Sequence, residues 1–235
     1  MSADTTPLFR ETQTKADQPA AQRVLDALRA MIVRGELAPG GRIVERTLCA
    51  KLDVSRTPMR EALKLLEIDG LIELSQNRGA RVRPFTEAEA LNLFEVLAAL
   101  ESLAAELATR RITPSAYSVL KAEHAAMEIN FRQGDLDGYF GHNSTVHEII
   151  VAATGNDTLV ATHKSLTLRA KRGRYMAILD PRRWREAMEE HRALMDAMER
   201  QDAAEAGRIW NAHLSHTGQS IADVLRREAA KRAVS

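Results

Sequence analysis

Four side chains in the C-terminal half of the sequence could together hold a metal ion. Asn143 and His147 are one helical turn apart on an otherwise apolar stripe, which would direct both side chains into a helical bundle. His191 and His213 occupy similar mid-helix positions in later segments. Three imidazoles and an amide oxygen converging from three helices suit Zn²⁺ or Ni²⁺ and leave coordination positions open for water or an acid. We therefore predict a divalent metal site at these residues.

Two other interpretations of the histidines remain open. A single buried histidine is more often a hydrogen-bonded core residue than a ligand, and the amide oxygen of Asn143 is a weaker donor than a carboxylate. A three-histidine site could also activate water, as in a metal-dependent hydrolase. The sequence nevertheless has no HExxH motif, no Glu-x-x-His pair of a di-iron bundle, no nucleophile elbow and no phosphate loop. We therefore predict that the protein is not an enzyme.

Three further side chains are candidates for binding a small organic acid. His163 and His216 lie on stripes that lean inward, and Arg169 belongs to an arginine cluster on the fourth helical segment of this half. A guanidinium can hold a carboxylate through two parallel hydrogen bonds, which makes Arg169 a candidate effector contact. The neighbouring Arg172 and Arg174 leave a second interpretation open, in which the cluster is a solvated charged surface.

The elements that must position these residues are helices. From residue 85 onward, apolar residues recur at helical spacing, and the segments are separated by caps and helix breakers. Six segments with short connections predict a bundle, so this half is expected to be all-α with six or seven helices. The boundary signals are the capping box Thr86 to Glu89, the pair Thr113-Pro114, Gly134, the pair Gly155-Asn156, and Pro181.

The N-terminal part contains a short predicted helix with one apolar and one cationic face. It runs from Ser55 to Leu66, with Pro58 in its first turn, where no backbone hydrogen bond is lost. A second short helix, Glu45 to Leu52, precedes it across a tight turn. Two helices joined in this way are typical of a helix-turn-helix, which places its second helix in the major groove of DNA. The apolar positions are Met59, Ala62, Leu63 and Leu66, and the cationic ones are Arg56, Arg60 and Lys64.

A predicted hairpin follows this helix and completes a winged helix-turn-helix. Residues 71–74 and 80–83 alternate apolar and polar side chains around a turn at residues 76–79. Arginines of the hairpin would reach phosphates or the minor groove, where contacts position a protein without reading sequence in the major groove. The pattern predicts double-stranded DNA as a partner, and solvation of the surface is the alternative role for these charges. The arginines are Arg78, Arg81 and Arg83.

Three strings of residues in this part carry a family resemblance. They are GELAPGGRIVERTLCAKL, VSRTPMREALKLLEIDGLI and NRGARV, within about residues 20 to 84. They resemble the DNA-binding domain of the GntR family of bacterial transcriptional regulators. The resemblance implies operator contacts from the two helices and the wing tip, at Arg46, Arg56, Thr57, Arg60, Gln76, Asn77 and Arg78. We add the flanking Ser55 and Gly79 to this predicted DNA interface.

The C-terminal half carries a second, looser resemblance over about residues 85 to 230. Its strings are LFEVLAALESLAAELA, NSTVHEIIVAATGN, EEHRALMDAM and WNAHL. They resemble the FCD ligand-sensing domain of the FadR-like branch of the GntR family. In that family the positions that match Asn143, His147, His191 and His213 bind a metal. The sequence departs from the family at two positions, because members often have arginine in place of Leu97 and commonly have aspartate in place of Asn143.

Composition sets bounds on the class of protein. The 235 residues are 45% hydrophobic and 28% charged, which is ordinary for a globular protein and long enough for two domains. The formal net charge of +1 divides into +3 for residues 1–83 and −2 for residues 84–235, so non-specific attraction to DNA is weak per monomer. The single cysteine, Cys49, cannot form an internal disulfide, and no segment resembles a signal peptide or a membrane span. We expect a cytoplasmic protein.

Together these patterns predict a mainly α protein with three segments. Residues 1–18 form a flexible tail, residues 19–84 a winged helix-turn-helix domain, and residues 85–232 an all-helical domain for effector binding and dimerisation. We expect a homodimer on a palindromic operator, because one DNA-binding domain makes too few base contacts for genomic selectivity. The predicted function is that of a ligand-responsive transcriptional repressor. A constitutive architectural DNA binder is disfavoured because polar residues inside the bundle would be costly without partners.

Overall fold

A computed structural model describes residues 18–75 and 79–234, with side chains described as far as residue 231. All but the last residue of the predicted tail lies outside this range, and so do the wing-tip positions Gln76, Asn77 and Arg78. The described chain is mainly helical and has one apolar core in its N-terminal part and another in its C-terminal part. The predicted fold class, a winged helix-turn-helix followed by a helical bundle, is confirmed.

The N-terminal part contains three helices and a small antiparallel sheet within the described residues. The strand order is β1-β3-β2, with Ile72 opposite Val82 and Ser75 opposite Gly79. The hairpin formed by β2 and β3 is the predicted wing. The bounds of the elements are α1 Ala20–Val33, β1 Arg42–Ile43, α2 Glu45–Leu52, α3 Arg56–Ile68, β2 Ile72–Ser75 and β3 Gly79–Val82.

The amphipathic pattern of α3 explains how the helix-turn-helix is held together. The four apolar positions predicted between residues 59 and 66 are all buried and pack with side chains of α1, β1 and the hairpin. Full burial of a side chain such as Leu66 stabilises the fold by about 1.5–3 kcal/mol. Asp53 ends α2 in the left-handed conformation, with φ 50°, and so turns the chain sharply toward α3. The opposite, cationic face of α3 is left exposed to solvent.

The C-terminal part is a bundle of six helices over the range that the structure describes. Its helices begin where the caps predict: Thr86 and Glu89 form a reciprocal capping box at the first helix, and Thr113 caps a helix that opens with Pro114. Gly134 ends that helix in the left-handed conformation. The bounds are α4 Glu87–Arg111, α5 Pro114–Gln133, α6 Leu136–Ala152, α7 Asp157–Ile178, α8 Pro181–Glu199 and α9 Ala203–Val234.

One phenylalanine lies where three of these helices meet. Helices α4 and α9 make the most extensive contact in the bundle, and α7 packs against both. A Cβ atom at Gly173 on α7 would lie 2.7 Å from Cε2 of Phe94 on α4, and one at Gly218 on α9 would lie 2.6 Å from Phe94 Cβ. Both distances are shorter than real Cβ contacts, so only glycine permits this approach. The close packing fixes the position of α7 in the bundle.

Helix α7 also contacts the N-terminal part. Arg172 is buried, donates from Nη1 to the backbone carbonyl of Arg83 at 3.1 Å, and lies over the ring of Phe85, 5.2 Å from its centroid. Leu168, one turn earlier, packs against the apolar core that contains α3. The two parts of the chain are therefore connected by a buried cation and an apolar contact as well as by the linker.

Candidate metal centre and DNA interface

The three predicted histidine ligands meet inside the bundle. His147 on α6, His191 on α8 and His213 on α9 each offer a ring nitrogen, and these atoms lie within 4.8 Å of one another. The side chains are 0%, 0% and 3% exposed, respectively. Asn143, one turn before His147, is also buried and lines the same small cavity as His213. The helices thus bring together all four side chains singled out from the sequence.

Two carboxylates orient the histidine rings. Nδ1 of His147 is hydrogen-bonded to Glu101 on α4, and Nδ1 of His213 is hydrogen-bonded to Oε2 of Glu190 on α8 at 2.7 Å. Because an ionised carboxylate only accepts hydrogen bonds, we assign the ring proton to Nδ1 in both histidines. The lone pair on Nε2 is then free for a metal, and a carboxylate on the other nitrogen is the usual support of a metal-binding histidine.

The cluster also contains buried ring nitrogens without a hydrogen-bond partner among the described residues. Both nitrogens of His191 and Nε2 of His147 are in this state. An unsatisfied buried polar group costs about 1–3 kcal/mol, so several in one place call for a compensating partner. Trp210 packs in parallel on His213, with ring centroids 4.6 Å apart, and closes this side of the cluster. Imidazoles with unused ring nitrogens beside an amide oxygen fit a divalent cation such as zinc or nickel.

Burial keeps the histidines neutral while the carboxylates stay ionised. Burial and the nearby Arg174 lower the pKa of His147 to about 3, and burial lowers the pKa of the other two histidines as well. Burial opposes ionisation of Glu101, but the contacts with His147, His163 and Arg174 outweigh it and hold the pKa of this carboxyl well below its usual range. Neutral imidazoles are the form that binds metals.

Glu101 is the first functional residue that the sequence patterns did not identify. It is fully buried in α4 and accepts from His163 Nε2 at 3.1 Å as well as from His147, with Arg174 Nη1 at 3.9 Å. Its position was a usable signal, because it lies four residues after Leu97 and therefore on the buried stripe of α4. A carboxylate at such a position needs cationic or hydrogen-bonding partners.

Glu190 and Arg183 are two further residues that the sequence patterns did not identify, and they contact the predicted residues His213 and His216. This carboxylate accepts from His213 and from Nη2 of Arg183 at 2.6 Å through Oε2, and contacts Nδ1 of His216 at 2.7 Å through Oε1. Burial opposes its ionisation, but the contacts with His213 and Arg183 prevail and hold the pKa of Glu190 below its usual range. Arg183 is 2% exposed, a rare state for an arginine, which follows from this pairing.

The structure separates the three residues predicted to contact an effector. His163 is buried and belongs to the Glu101 network, whereas the side chain of His216 is 62% exposed and reaches inward only through Glu190. Arg169 is exposed and lines a crevice beside the linker, at the junction of the two parts of the chain. Arg169 therefore lies away from the histidine cluster, and its role as an effector contact stays a prediction. Arg174, five residues later and about 140° around the helix, faces them instead.

A small cavity adjoins the histidine cluster. Its volume is about 10 Å³, roughly the space that one water molecule needs. Two buried arginines line it, and both Arg174 and Arg183 have guanidinium nitrogens without a hydrogen-bond partner within the described chain. An organic acid would need side chains to move before it could occupy this space. The lining residues are Tyr139, Asn143, Arg174, Ala177, Ile178, Arg183, Ala187, His213 and Thr217.

On the other side of the molecule, the predicted DNA-binding side chains of the helix-turn-helix are exposed. Arg46 on α2 and Arg56 and Thr57 at the start of α3 are open to solvent, as is Ser55 at the N-cap position, whose side chain makes no capping hydrogen bond. Arg60 forms an ion pair with Glu45 at 3.3 Å. Such exposed pairs contribute little to stability, so Arg60 can exchange this partner for DNA.

The wing differs in part from the prediction. Gly79 begins β3 with φ 72°, as a residue in the hairpin turn should, but Gln76, Asn77 and Arg78 lie outside the described residues. Two further arginines of the hairpin are engaged within the protein, because Arg81 donates to the carbonyl of Gly40 at 2.6 Å and Arg83 pairs with Glu73 at 3.3 Å. Their expected contacts with phosphates would require these partners to be released.

Comparison with known proteins identifies both parts of the chain. A family model described as bacterial regulatory proteins, gntR family, matches residues 20–82, and an FCD domain model matches residues 92–216. The chain belongs to the GntR family. Its helical bundle is an FCD domain, and the resemblance drawn from the sequence strings is confirmed.

Curated relatives extend over most of this GntR-family chain. It is 26% identical over 214 residues to the HTH-type transcriptional repressor RspR of Escherichia coli, covering 91% of this chain and 94% of the relative. It is 30% identical over 182 residues to a probable D-xylose utilization operon transcriptional repressor of Paenarthrobacter nicotinovorans, covering 77% and 80%. The solved structure of E. coli McbR/YncC has the same fold, with a TM-score of 0.74 at 20% identity, over 90% of this chain and 99% of that one.

These relatives are regulators of transcription, which confirms that this GntR-family protein is a regulator and not an enzyme. The hydrolase alternative has no support among them. None of the described helices is long and apolar enough to cross a membrane.

Proposed function

We propose that this GntR-family regulator is a repressor whose FCD domain senses a small organic acid at a metal held by Asn143, His147, His191 and His213. The observation that carries the proposal is the cluster of three buried, neutral imidazoles. Two of them, His147 and His191, have buried ring nitrogens without a hydrogen-bond partner among the described residues, and two, His147 and His213, are oriented by carboxylates. When bound, a zinc or nickel ion would supply open coordination positions for a carboxylate oxygen. Repression is supported by the names of the relatives.

The chain's own residues divide into two roles at this site. Arg174 and Arg183 line the cavity with guanidinium nitrogens that make no hydrogen bond within the described residues, and they would bind the carboxylate of the acid. His163 and His216 are positioning residues, because they contact Glu101 and Glu190 and not the cavity itself. The exposed Arg169 is assigned to the domain junction. This division replaces the effector contacts expected from the sequence with two buried arginines.

The DNA-binding role is assigned to residues 19–84, with operator contacts from Arg46, Ser55, Arg56, Thr57 and Arg60 and from the wing at residues 76–79. Exposure of the cationic face of α3 supports these contacts. We further propose a homodimer, formed by residues 85–232, on a palindromic operator in the cytoplasm. Two apolar side chains two turns apart on α4 remain exposed and suit a contact with a second copy; they are Val96, 54% exposed, and Leu103, 45% exposed.

Helix α7 connects the effector site to the DNA-binding domain. Arg174 contacts Glu101 inside the bundle, and Arg172, two residues earlier, donates to the carbonyl of Arg83 at the junction. An acid bound by Arg174 would shift α7, and Arg172 on the same helix would transmit the shift to Arg83. The spacing of the two DNA-binding domains in a dimer would then change. The coupling free energy in such switches is commonly about 1–3 kcal/mol.

The test begins with metal content and ends with operator binding. Full-length protein is loaded with zinc or nickel, dialysed, and analysed for bound metal; operator affinity is then measured with a panel of small organic acids. We expect one metal per chain and a change in affinity for at least one acid. His191→Ala should lose both while the DNA-binding domain stays folded. The matched control is His142→Ala, which removes a half-buried histidine that is paired with Glu123 at 2.7 Å and does not belong to the cluster.

A second variant tests the oxygen ligand. Asn143→Asp should bind metal about tenfold more tightly, which corresponds to about 1.4 kcal/mol, because a carboxylate supplies a charged oxygen where the amide supplies a neutral one. Stoichiometric metal and a normal response in His191→Ala would contradict the assignment of the cluster. The histidines would then be structural, and the effector would bind elsewhere.

A further inference from the structure

A single side chain, Arg183, lines both the small cavity that adjoins the histidine cluster and a groove on the protein surface. The groove has a volume of about 430 Å³ and lies between α8 and α9, and Arg183 is part of its wall as well as of the cavity wall. A larger crevice beside His163, about 720 Å³, is lined by other residues, none of which borders the cavity in the described chain. Arg183 therefore occupies the boundary between the solvent and the predicted metal site.

One terminal nitrogen of Arg183 makes several hydrogen bonds, whereas its other two guanidinium nitrogens make none within the described chain. Its Nη2 donates to Glu190 Oε2 at 2.6 Å, to Thr217 Oγ1 at 3.1 Å and to the carbonyl of His213 at 3.2 Å. Its Nε and Nη1 are buried without a hydrogen bond to any described residue. The side chain is thus held closed by one nitrogen, and swinging it outward would exchange those contacts for others in the groove.

The groove has the charge that a metal ion would be drawn to. Glu186, Glu189, Glu190 and Asp223 line it, against the two arginines Arg182 and Arg183. Glu186 is already near Arg183, with its Oε2 3.9 Å from Nη1, so an acceptor is in place for the guanidinium when it turns outward. Carboxylates at the mouth would concentrate divalent cations, while the guanidinium in the closed position would repel them from the cavity.

We propose that Arg183 is a gate through which metal ions enter and leave the histidine site by way of the groove between α8 and α9. This rests on the proposed function, since the gate needs a metal site behind it. Metal exchange is then limited by the outward swing of Arg183 and not by the strength of the metal ligands alone. The same movement would open the cavity, which in the closed state has room for roughly one water molecule.

A gate and a simple electrostatic effect predict opposite changes in the rate of metal release when Arg183 is replaced. Removing a cation beside a metal site should tighten the metal and slow its release if Arg183 acts only through its charge. If Arg183 is a gate, Arg183→Met should release metal faster, because the methionine side chain lacks the three hydrogen bonds that hold the arginine closed. The direction of the change in release rate therefore separates the two roles.

The experiment follows the release of Co²⁺ from full-length protein. Cobalt-loaded protein is mixed with chelator in large excess, so that the rate is that of dissociation, and the visible absorption of the bound ion is recorded. We expect release at least tenfold faster from Arg183→Met than from the wild type. The control is Arg192→Met, which removes an exposed arginine of the same helix, paired with Glu128 at 2.5 Å, and should leave the rate unchanged.

Thr217→Val is the second variant, in case Arg183→Met does not fold. It removes one acceptor of Arg183 but keeps the guanidinium, so release about threefold faster is expected. An unchanged or slower rate in a folded Arg183 or Thr217 variant that holds one cobalt ion would overturn the gate and leave the metal site intact. A wild type that binds no cobalt, zinc or nickel would instead overturn the proposed function and the gate together.

Discussion

The DNA-binding domain and the FCD bundle place their charged groups in opposite locations. Every buried polar or charged side chain that the structure describes lies between residues 101 and 217, within the bundle, whereas the core of the DNA-binding domain is formed by apolar side chains. The first domain carries its chemistry on an exposed helix and is stabilised by burial of hydrocarbon. The second carries its chemistry inside, so its stability depends on charge pairing and on pH. The exposed charged side chains of the DNA-binding domain can therefore be replaced without loss of folding stability, whereas replacing the buried charged side chains of the bundle destabilises it.

The largest effect that this contrast predicts concerns Glu101. Glu101→Ala removes the carboxylate that His147, His163 and Arg174 share, and leaves a buried cation without its partner. We expect a loss of about 3–5 kcal/mol in the free energy of unfolding of the bundle. Chemical denaturation followed by circular dichroism measures it. Glu95→Ala, at an exposed site on the same helix, should change stability by no more than about 0.5 kcal/mol. Equal stability of the two variants would contradict the network.

The second effect is a loss of bundle stability on acidification. Below the usual histidine pKa of 6.5, the unfolded chain takes up protons, but the folded bundle does not, because the pKa of His147 is lowered to about 3 and those of His191 and His213 are also lowered. The unfolded state thus binds more protons, and stability falls as the pH falls. Each histidine can contribute about 1 kcal/mol per pH unit below 6.5.

This is measured by thermal melting of the metal-free protein between pH 7.5 and 5.5. Glu101 and Glu190, with lowered pKa values, add to the same trend at lower pH. The isolated DNA-binding domain, which buries no histidine, serves as the comparison. A melting temperature of the metal-free bundle that stays constant over this range would show that the histidines are not held neutral.

The third effect appears in DNA binding and not in stability. Arg56→Ala or Arg60→Ala should weaken operator binding by about 1–3 kcal/mol if the arginine contacts a base in bidentate fashion. Melting temperatures should stay near the wild-type value, because both side chains are exposed. Arg23→Ala, an exposed arginine on α1, is a control for loss of charge alone. Unchanged operator affinity in the Arg56 and Arg60 double variant would mean that α3 does not read the DNA.

The smallest effect is expected where the two domains meet. Arg172→Met keeps apolar contact with Phe85 but removes the hydrogen bond to the carbonyl of Arg83, at a cost of about 1 kcal/mol. The more informative readout is the ratio of operator affinities with and without effector, which should approach one. A full effector response in this variant would show that the signal does not pass through α7.

Features that depend on residues close together in the sequence could be predicted, whereas features that depend on packing between helices could not. Helix limits and the apolar core of α3 depend on residues close in sequence, such as Pro58, Thr86 and Glu89, so periodicity and caps identify them. His147, His191 and His213 were found because each lies on an apolar stripe. Their convergence requires three helices to pack in a particular register, which a single pattern cannot show.

The residues that were missed depend on tertiary partners. Glu101 and Arg183 are buried only because each finds an opposite charge on another helix or on a distant turn. Sequence patterns treat such residues as surface charges, as they also did for Arg174. The sequence does not distinguish Arg169 from Arg174, because it does not show which face of α7 is turned toward the cavity. That orientation is set by the packing of Gly173 against Phe94, a contact between helices.

The position of Trp210 makes the histidine site observable by fluorescence. Its ring centroid lies 4.6 Å from those of His147 and His213 and 4.8 Å from that of His191. The chain has two tryptophans, and the other, Trp184, is packed against Phe131 and Tyr139 in a separate aromatic cluster. Emission from Trp210 is therefore sensitive to any ion or proton that the imidazoles acquire. With Trp184 replaced by phenylalanine, the protein carries a single built-in optical reporter of its own site.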